Sequence, residues 1–131
     1  MKFILISLLL SYTLIASSSF KELGYETDYN TALQKAKAQN KQIVMVLVSS
    51  HCPWCERLED EVLFLEYTNE LLHKNYIPLV QYSGDDEFPN RFYSYVVPTI
   101  HFIDSENESL IESIHGFNNN WRFYEIIEAN K

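Results

Sequence analysis

Hydrophobic and polar residues are distributed along the first half of the chain in two distinct patterns. Between residues 27 and 41, apolar residues recur at helical spacing after Asp28, which is suited to cap a helix. The segment QIVMVLVS at 42–49 is instead continuously apolar and rich in valine. Such a short run predicts a strand that is buried on both faces, as in a sheet covered by helices.

A second helical pattern follows this strand. Leu58, Val62 and Leu65 keep helical spacing, and acidic residues occupy positions between them. Residues 69–75 continue the helix after an expected break around residues 67–68. This part of the chain therefore predicts two consecutive helical segments.

The second half of the chain predicts strands and a final helix. Residues 76–82 form an apolar run in which Pro78 is expected at the start of a strand. Residues 97–104 and 109–116 predict a hairpin, and 118–130 predict an amphipathic helix. The buried face of that helix is expected to use Trp121, Tyr124 and Ile127. The order of elements predicts an α/β fold with a central mixed β-sheet, a βαβ unit first and a hairpin after it.

Length and charge narrow the range of functions. The chain has 131 residues, which favours one domain, and a formal net charge of −8. It contains no cluster of lysines and arginines, so we expect no nucleic-acid partner. We expect the excess of acidic over basic residues to lie on the surface and to favour solubility.

The N-terminus has the features of a secretory signal peptide. Lys2 precedes an apolar run that begins at Phe3, and small residues follow at 16–19. The run is shorter than the roughly 20 residues of a spanning helix, so stable membrane insertion after cleavage is not expected. We therefore expect residues 1–18 to be removed and residues 19–131 to form the mature domain. The ending EANK carries no retention signal for the endoplasmic reticulum, which favours a periplasmic or secreted protein.

The two cysteines, Cys52 and Cys55, raise three alternatives: a structural staple, part of a metal site or a redox pair. A disulfide across this spacing closes so small a loop that it removes little entropy from the unfolded chain. Cys52 directly follows the predicted central strand and begins a predicted helix, and Pro53 suits the first turn. A helix N-terminus stabilises a thiolate, so this position favours a reactive first cysteine.

The motif CPWCERLEDEVL at 52–63, the segment NELLHKNYIPLVQY at 69–82 and the later VVPT at 96–99 resemble the thioredoxin fold. They are most similar to the exported thioredoxin-like subfamily that includes the C-terminal domain of the electron transporter DsbD. The resemblance implies a thiol:disulfide oxidoreductase that needs no cofactor beyond its own redox-active disulfide. It further implies protein thiol or disulfide substrates, a membrane or soluble electron-transfer partner, and a monomer.

The resemblance also assigns roles to individual residues. Cys52 would be the nucleophile and Cys55 the resolving thiol. Pro98 would be a cis-proline facing them, with Val97 before it and Thr99 after it. The backbone of Val97 would then be free to pair with an extended substrate peptide.

The chain departs from the family pattern close to the motif. Many thioredoxins carry a buried aspartate in the strand before the motif, and the strand here has no acid. Glu59 follows Cys55 by one helical turn and is the preferred proton acceptor, with Glu56 or water as alternatives. Glu59 is otherwise an ordinary solvated acid. Trp54 either packs against the rest of the domain or presents an exposed ring that a substrate or partner can contact.

His51 stands where many thioredoxins have tryptophan. As a cation beside Cys52 it would stabilise the thiolate, and as a surface residue it would have no role. As a zinc ligand with both cysteines it would need a fourth partner, and no spacing supplies one, so no metal is expected. The histidines considered as that partner are His73, His101 and His115.

The direction of electron flow is the least constrained point. The chain lacks room for the helical insertion of DsbA-like oxidases, and this favours reduction of substrate disulfides. The alternative direction is that of a disulfide-donating oxidase.

Two functions without thiol:disulfide exchange are also open. One is a small metal carrier, and the other is a non-catalytic module that binds peptides at Trp54, Val97 and Pro98.

Overall fold

The computed structural model describes residues 19–117 and 120–129, so the predicted signal peptide lies outside the described residues. The elements are α1 (Tyr29–Gln39), β1 (Gln42–Val48), α2 (Pro53–Leu58), a π-helical turn (Glu59–Leu63), α3 (Glu66–Asn75), β2 (Tyr76–Tyr82), a 3₁₀ turn (Asn90–Phe92), β3 (Thr99–Ile103), β4 (Leu110–His115) and α4 (Asn120–Ala129). The four strands form one sheet in the order β2-β1-β3-β4.

The sheet has the mixed topology that the sequence predicts. β1 pairs in parallel with β2 and antiparallel with β3, and β3 and β4 form the antiparallel hairpin. β1 lies inside the sheet, and residues 43–48 are all buried because core side chains pack against both faces of the strand. The thioredoxin fold is confirmed by this arrangement.

Alternate side chains of β1 enter two separate cores. Ile43, Met45 and Leu47 pack on the side of α1, and Phe92 closes that core from the 3₁₀ turn. The intervening valines pack on the opposite side, where the other helices contribute Leu58, Leu72, Phe123 and Ile127. The strand is therefore fixed in register, since a one-residue slip would exchange the two sets of side chains.

The first helix begins where the sequence predicts. The Asp28 carboxylate accepts a hydrogen bond from the Thr31 amide at 2.8 Å and satisfies one of the free N–H groups of the first turn. Asn40 ends α1 in the left-handed conformation.

The break between the two following helices lies earlier than predicted. The amide of Phe64 still bonds to the Glu59 carbonyl at 2.8 Å, and Leu65 is extended with ψ of 136°. The chain therefore turns at residues 64–65, and the break expected at residues 67–68 was wrong. Leu65 consequently lies outside the buried face, with 45% of its surface exposed.

Pro78 lies inside β2 instead of at its start. It pairs with Val44 of β1, and its carbonyl accepts the Glu26 amide at 2.8 Å on the outer edge. The proline nitrogen faces that same edge, so the missing N–H removes no bond to β1.

The final helix buries most of the predicted face, since Ile127 is buried and Tyr124 packs partly against the core. Phe123 and Ile127 are buried, whereas Trp121 is 66% exposed. The expectation that Trp121 is a core residue was therefore wrong. In the described part of the chain, none of the helices combines the length and apolar character that crossing a membrane requires.

Candidate functional site

Cys52 and Cys55 form a disulfide at the beginning of α2, with their Cα atoms 5.2 Å apart. Cys52 is the N-cap residue, and its sulfur accepts a hydrogen bond from the Cys55 amide at 3.2 Å. Pro53 occupies the first turn, where the absence of an N–H costs nothing. The end of the central strand and the start of α2 together hold the sulfur pair at the edge of the sheet.

The two sulfurs differ in accessibility. Cys52 is partly exposed, whereas Cys55 has only 2% of its surface exposed and packs with Leu58 and Val62 in the core. An external thiol or disulfide therefore reaches Cys52 first. Cys55 is protected from outside partners but remains bonded to Cys52.

A cleft of about 330 Å³ joins the disulfide helix to the loop before β3. The Val97–Pro98 peptide bond is cis, and the Pro98 carbonyl accepts the Gly116 amide at 2.7 Å. Pro98 is buried, and Val97 is partly exposed. The residues that line the cleft are Trp54, Val96, Val97, Gly116 and Phe117.

Trp54 is not packed in the core. It is 53% exposed, and its ring lies 5.9 Å from that of Phe117. The Arg57 guanidinium covers both rings, 5.3 Å from the Trp54 centroid and 4.6 Å from the Phe117 centroid. The tryptophan is thereby held in place while much of its surface stays free. Phe117 lies outside any recognisable motif, and Arg57 lies within CPWCERLEDEVL, but nothing in the sequence indicates that Arg57 covers the two rings.

Thr99 lies in the interior. Its side chain is fully buried, and its hydroxyl donates to the Val96 carbonyl at 2.7 Å. Thr99 therefore contacts the loop that lines the cleft and does not face solvent.

Glu59 lies one turn after Cys55 and is partly buried, while Glu56 is exposed. Burial raises the pKa of Glu59 to about 7, and the nearby carboxylates of Asp60 and Glu56 add to the shift. A carboxyl with this pKa exchanges protons near neutral pH, as a proton acceptor for a thiol requires. Glu59 also lines a second cleft with Phe64 and Tyr82, and this cleft gives its carboxyl access to solvent.

His51 is exposed beside Cys52 and takes a left-handed conformation with φ of 57°. The other three histidines make separate contacts, to the carbonyls of Leu23 and Phe92 and to the Thr99 hydroxyl. Within residues 19–117 and 120–129, no three His, Cys, Asp or Glu side chains gather as metal ligands.

The comparison with protein families finds a model that covers most of the chain. The thioredoxin-like domain matches residues 29–131. The chain belongs to this family. A thioredoxin-like domain with a CxxC disulfide is equipped for thiol:disulfide exchange, so the prediction of a thiol:disulfide oxidoreductase is supported. Among curated proteins, none matches the sequence.

Solved structures share the fold of this thioredoxin-like domain at low identity. A thioredoxin from Thermus thermophilus is 19% identical with a TM-score of 0.63, over 81% of this chain and 86% of that one. The oxidised DsbD C-terminal domain from Neisseria meningitidis is 16% identical with a TM-score of 0.61, over 82% and 99%. The oxidoreductase DsbH is 13% identical with a TM-score of 0.58, over 89% and 94%.

Proposed function

We propose that this thioredoxin-like domain is an exported, periplasmic thiol:disulfide oxidoreductase that reduces disulfides in protein substrates. The observation that carries the proposal is the unequal exposure of the two sulfurs at the start of α2. Cys52 is open to a substrate beside the Val97–Pro98 loop, and Cys55 is buried behind it.

The reaction begins from the dithiol form. The Cys52 thiolate attacks one sulfur of a substrate disulfide, forming a mixed disulfide and releasing the other substrate sulfur as a thiol after it takes up a proton. The Cys55 thiol then loses its proton, and its sulfur attacks Cys52. This step forms the Cys52–Cys55 disulfide, releases the second substrate thiol and completes the transfer of two electrons to the substrate. A dithiol protein of the electron-transfer class then reduces the pair again.

The geometry around Cys52 supports its role as the attacking sulfur. The Cys55 amide faces the Cys52 sulfur at 3.2 Å, and a hydrogen bond from an N–H group favours a thiolate over a thiol. The exposed His51 directly precedes Cys52 in the chain, where a cationic side chain would favour the thiolate.

Export and reductive direction rest on two observations. The apolar residues after Lys2 and the small residues at 16–19 have the order of a cleaved secretory signal. Between β2 and β3 the described chain contains a single 3₁₀ turn, Asn90–Phe92, where DsbA-like oxidases carry a helical insertion. The direction is further supported by the resemblance of CPWCERLEDEVL at 52–63 and NELLHKNYIPLVQY at 69–82 to the subfamily of the electron transporter DsbD.

The exchange chemistry is tested by trapping. A Cys55→Ser variant is expected to accumulate a mixed disulfide through Cys52 when it is incubated with a disulfide-bonded protein, because no resolving thiol remains. A Cys52→Ser variant is the matched control and is expected to form far less adduct, since Cys55 is buried. Equal trapping by both variants, or none by either, would contradict the mechanism.

The direction is tested by the reduction potential of the Cys52–Cys55 pair in glutathione buffers. A value near that of thioredoxin, about −270 mV, is expected for a reductase. A value near about −120 mV would identify a disulfide donor and overturn the reductive direction. Export is tested by expressing the full chain in a Gram-negative bacterium, where we expect the mature protein in the periplasm with residues 1–18 removed.

An unusually apolar surface around the cleft favours one second function, peptide binding without redox turnover. Tyr95 is 94% exposed, and Val96 and Trp54 are about half exposed. A Cys52→Ala, Cys55→Ala double variant that binds unfolded peptides as tightly as the wild type, together with no trapping, would favour this function.

A further inference from the structure

The loop at residues 93–98 lines the proposed substrate cleft but belongs to no helix or strand. The shape of its backbone is therefore set by individual contacts. The Val96 amide donates to the Ser94 hydroxyl at 3.1 Å, and the Val96 carbonyl accepts the Thr99 hydroxyl at 2.7 Å. Both contacts fix the residue directly before Val97.

Counting hydrogens shows which group supports Thr99. A hydroxyl has one hydrogen, and Thr99 gives it to the Val96 carbonyl, which only accepts. The Thr99 oxygen therefore accepts from its other neighbours. Two further polar atoms lie near this oxygen, Ser94 Oγ at 3.3 Å and His115 Nδ1 at 3.1 Å. We assign the tautomer in which Nδ1 carries the hydrogen, because Nδ1 then donates to the Thr99 oxygen while the Thr99 hydrogen stays on the Val96 carbonyl. The chain of donors runs from His115 through Thr99 to Val96.

This arrangement ties the loop to the outer strand of the sheet. Thr99 and His115 face each other in the register between β3 and β4. Next to them, the Gly116 amide donates to the Pro98 carbonyl at 2.7 Å. The His115 side chain thus supports the loop before Val97, through Thr99 and the Val96 carbonyl. The Gly116 backbone supports the loop after Val97, through the Pro98 carbonyl.

A second cross-strand pair holds the start of the loop in the same way. His101 Nε2 donates to the Phe92 carbonyl at 2.9 Å, and His101 Nδ1 lies 2.7 Å from the Ser113 hydroxyl. His101 and Ser113 also face each other between β3 and β4. His101 is buried and Ser113 is partly exposed, whereas His115 is exposed on the outer strand.

We propose that His115 is a positioning residue for substrate binding. Its Nδ1–H orients the Thr99 hydroxyl, the hydroxyl fixes the Val96 carbonyl, and the Val97 backbone is thereby held in place to pair with an extended substrate. The inference rests on the proposed function, in which this loop receives the substrate beside Cys52.

The test compares two variants in steady-state reduction of insulin disulfides, with dithiothreitol regenerating the dithiol protein. His115→Leu removes the donor, and we expect KM to rise about fivefold with kcat little changed, the effect of losing one ordinary hydrogen bond on binding. His115→Asn keeps an N–H donor near the position of Nδ1, and we expect it to restore KM to within about twofold of the wild type. With hydroxyethyl disulfide, which is too small to pair with the loop, all three proteins are expected to react equally.

Other outcomes separate this inference from the proposed function. If the wild type reduces insulin and His115→Leu has the same KM, the positioning role is wrong while the oxidoreductase stands. If His115→Leu loses reaction with hydroxyethyl disulfide as well, the residue acts on the sulfurs or on stability and the inference is again overturned. If the wild type reduces neither disulfide, the proposed function itself fails. Thermal unfolding of both variants within a few degrees of the wild type is required for the comparison. If His115→Leu is destabilised, His115→Ala, which also lacks the donor, takes its place, and the same rise in KM is expected.

Discussion

The backbone amide of Glu59 donates to the carbonyl of Cys55, which places the Glu59 carboxyl one helical turn after the buried sulfur on the same side of the helix. The strand that precedes the disulfide carries only apolar side chains from Ile43 to Val48. A proton acceptor for Cys55 must therefore come from the helix, where Glu59 is a partly buried acid one turn away. The raised pKa of Glu59 results from this burial.

Replacing Glu59 tests its role as the proton acceptor for Cys55. Glu59→Gln keeps the size of the side chain but cannot take up a proton. We expect the attack of Cys55 on the mixed disulfide to slow on the order of 10- to 100-fold at pH 8, toward the low end of what a general base contributes. Rapid-quench trapping of the mixed disulfide measures this step. Asp60→Asn, a change at the adjacent exposed acid, is the control, and an equal effect there would rule out a specific role for Glu59.

Glu59 is also expected to make stability depend on pH. Burial raises its pKa from 4.5 to about 7, so the native state holds the proton over a range in which the unfolded chain has lost it. The stabilising contribution of the neutral form is complete below pH 4.5 and is lost as the pH rises toward 7. Urea unfolding between pH 4.5 and 8 is expected to show this decline in the wild type and not in Glu59→Gln. Identical pH profiles would show that Glu59 titrates normally in the folded protein.

His101 is expected to make folding stability depend on pH in the opposite direction. Burial lowers its pKa below the ordinary value of 6.5, and the neighbouring His115 adds to the shift. The unfolded chain therefore takes up a proton first, and stability falls as the pH drops below 6.5. His101→Gln is expected to remove this loss and to cost about 1–3 kcal/mol at pH 8 by disturbing two buried hydrogen bonds. The same unfolding series measures both effects, with His73→Gln as the control. An unchanged profile for His101→Gln would contradict the assignment.

Trp54 is expected to contribute to substrate binding and little to folding. Trp54→Ala removes a ring that is half exposed, so we expect a small change in melting temperature. KM for a protein disulfide is expected to rise about threefold to tenfold, since the ring lines the cleft beside the disulfide. Trp121→Ala, at the other exposed tryptophan, is the control for loss of an aromatic surface. A large loss of stability with unchanged KM would show that Trp54 stabilises the fold and does not bind substrate.

Local sequence pattern was sufficient for most of the fold. The continuous apolar run at 42–49 predicts a strand whose two faces are both covered by other elements, and Asp28 can cap only a helix that starts after it. Cys52 and Cys55 were recognisable as a redox pair because a strand ends just before them and a helix begins with Pro53. These features depend on neighbours in sequence, so the sequence by itself determined them.

Other features depended on contacts between distant parts of the chain. The π-helical turn at Glu59–Leu63 shifts the break to residues 64–65, and no residue type in it signals that change. Pro78 fits inside β2 because that strand is at the edge of the sheet, where Glu26 meets its outer side. Trp121 and Phe123 both have apolar rings, and only the packing of α4 decides which of them is buried.

The site shows the same division. The cysteine pair and the Val-Pro-Thr segment could be recognised from the amino-acid sequence, because each is a short continuous motif. The tertiary structure alone decided that Phe117 and Arg57 hold Trp54 at the cleft, and that His115 supports the loop through Thr99. The physical reason is that hydrogen bonds and ring contacts act over a few ångströms in space, and the sheet brings these residues together across long stretches of sequence.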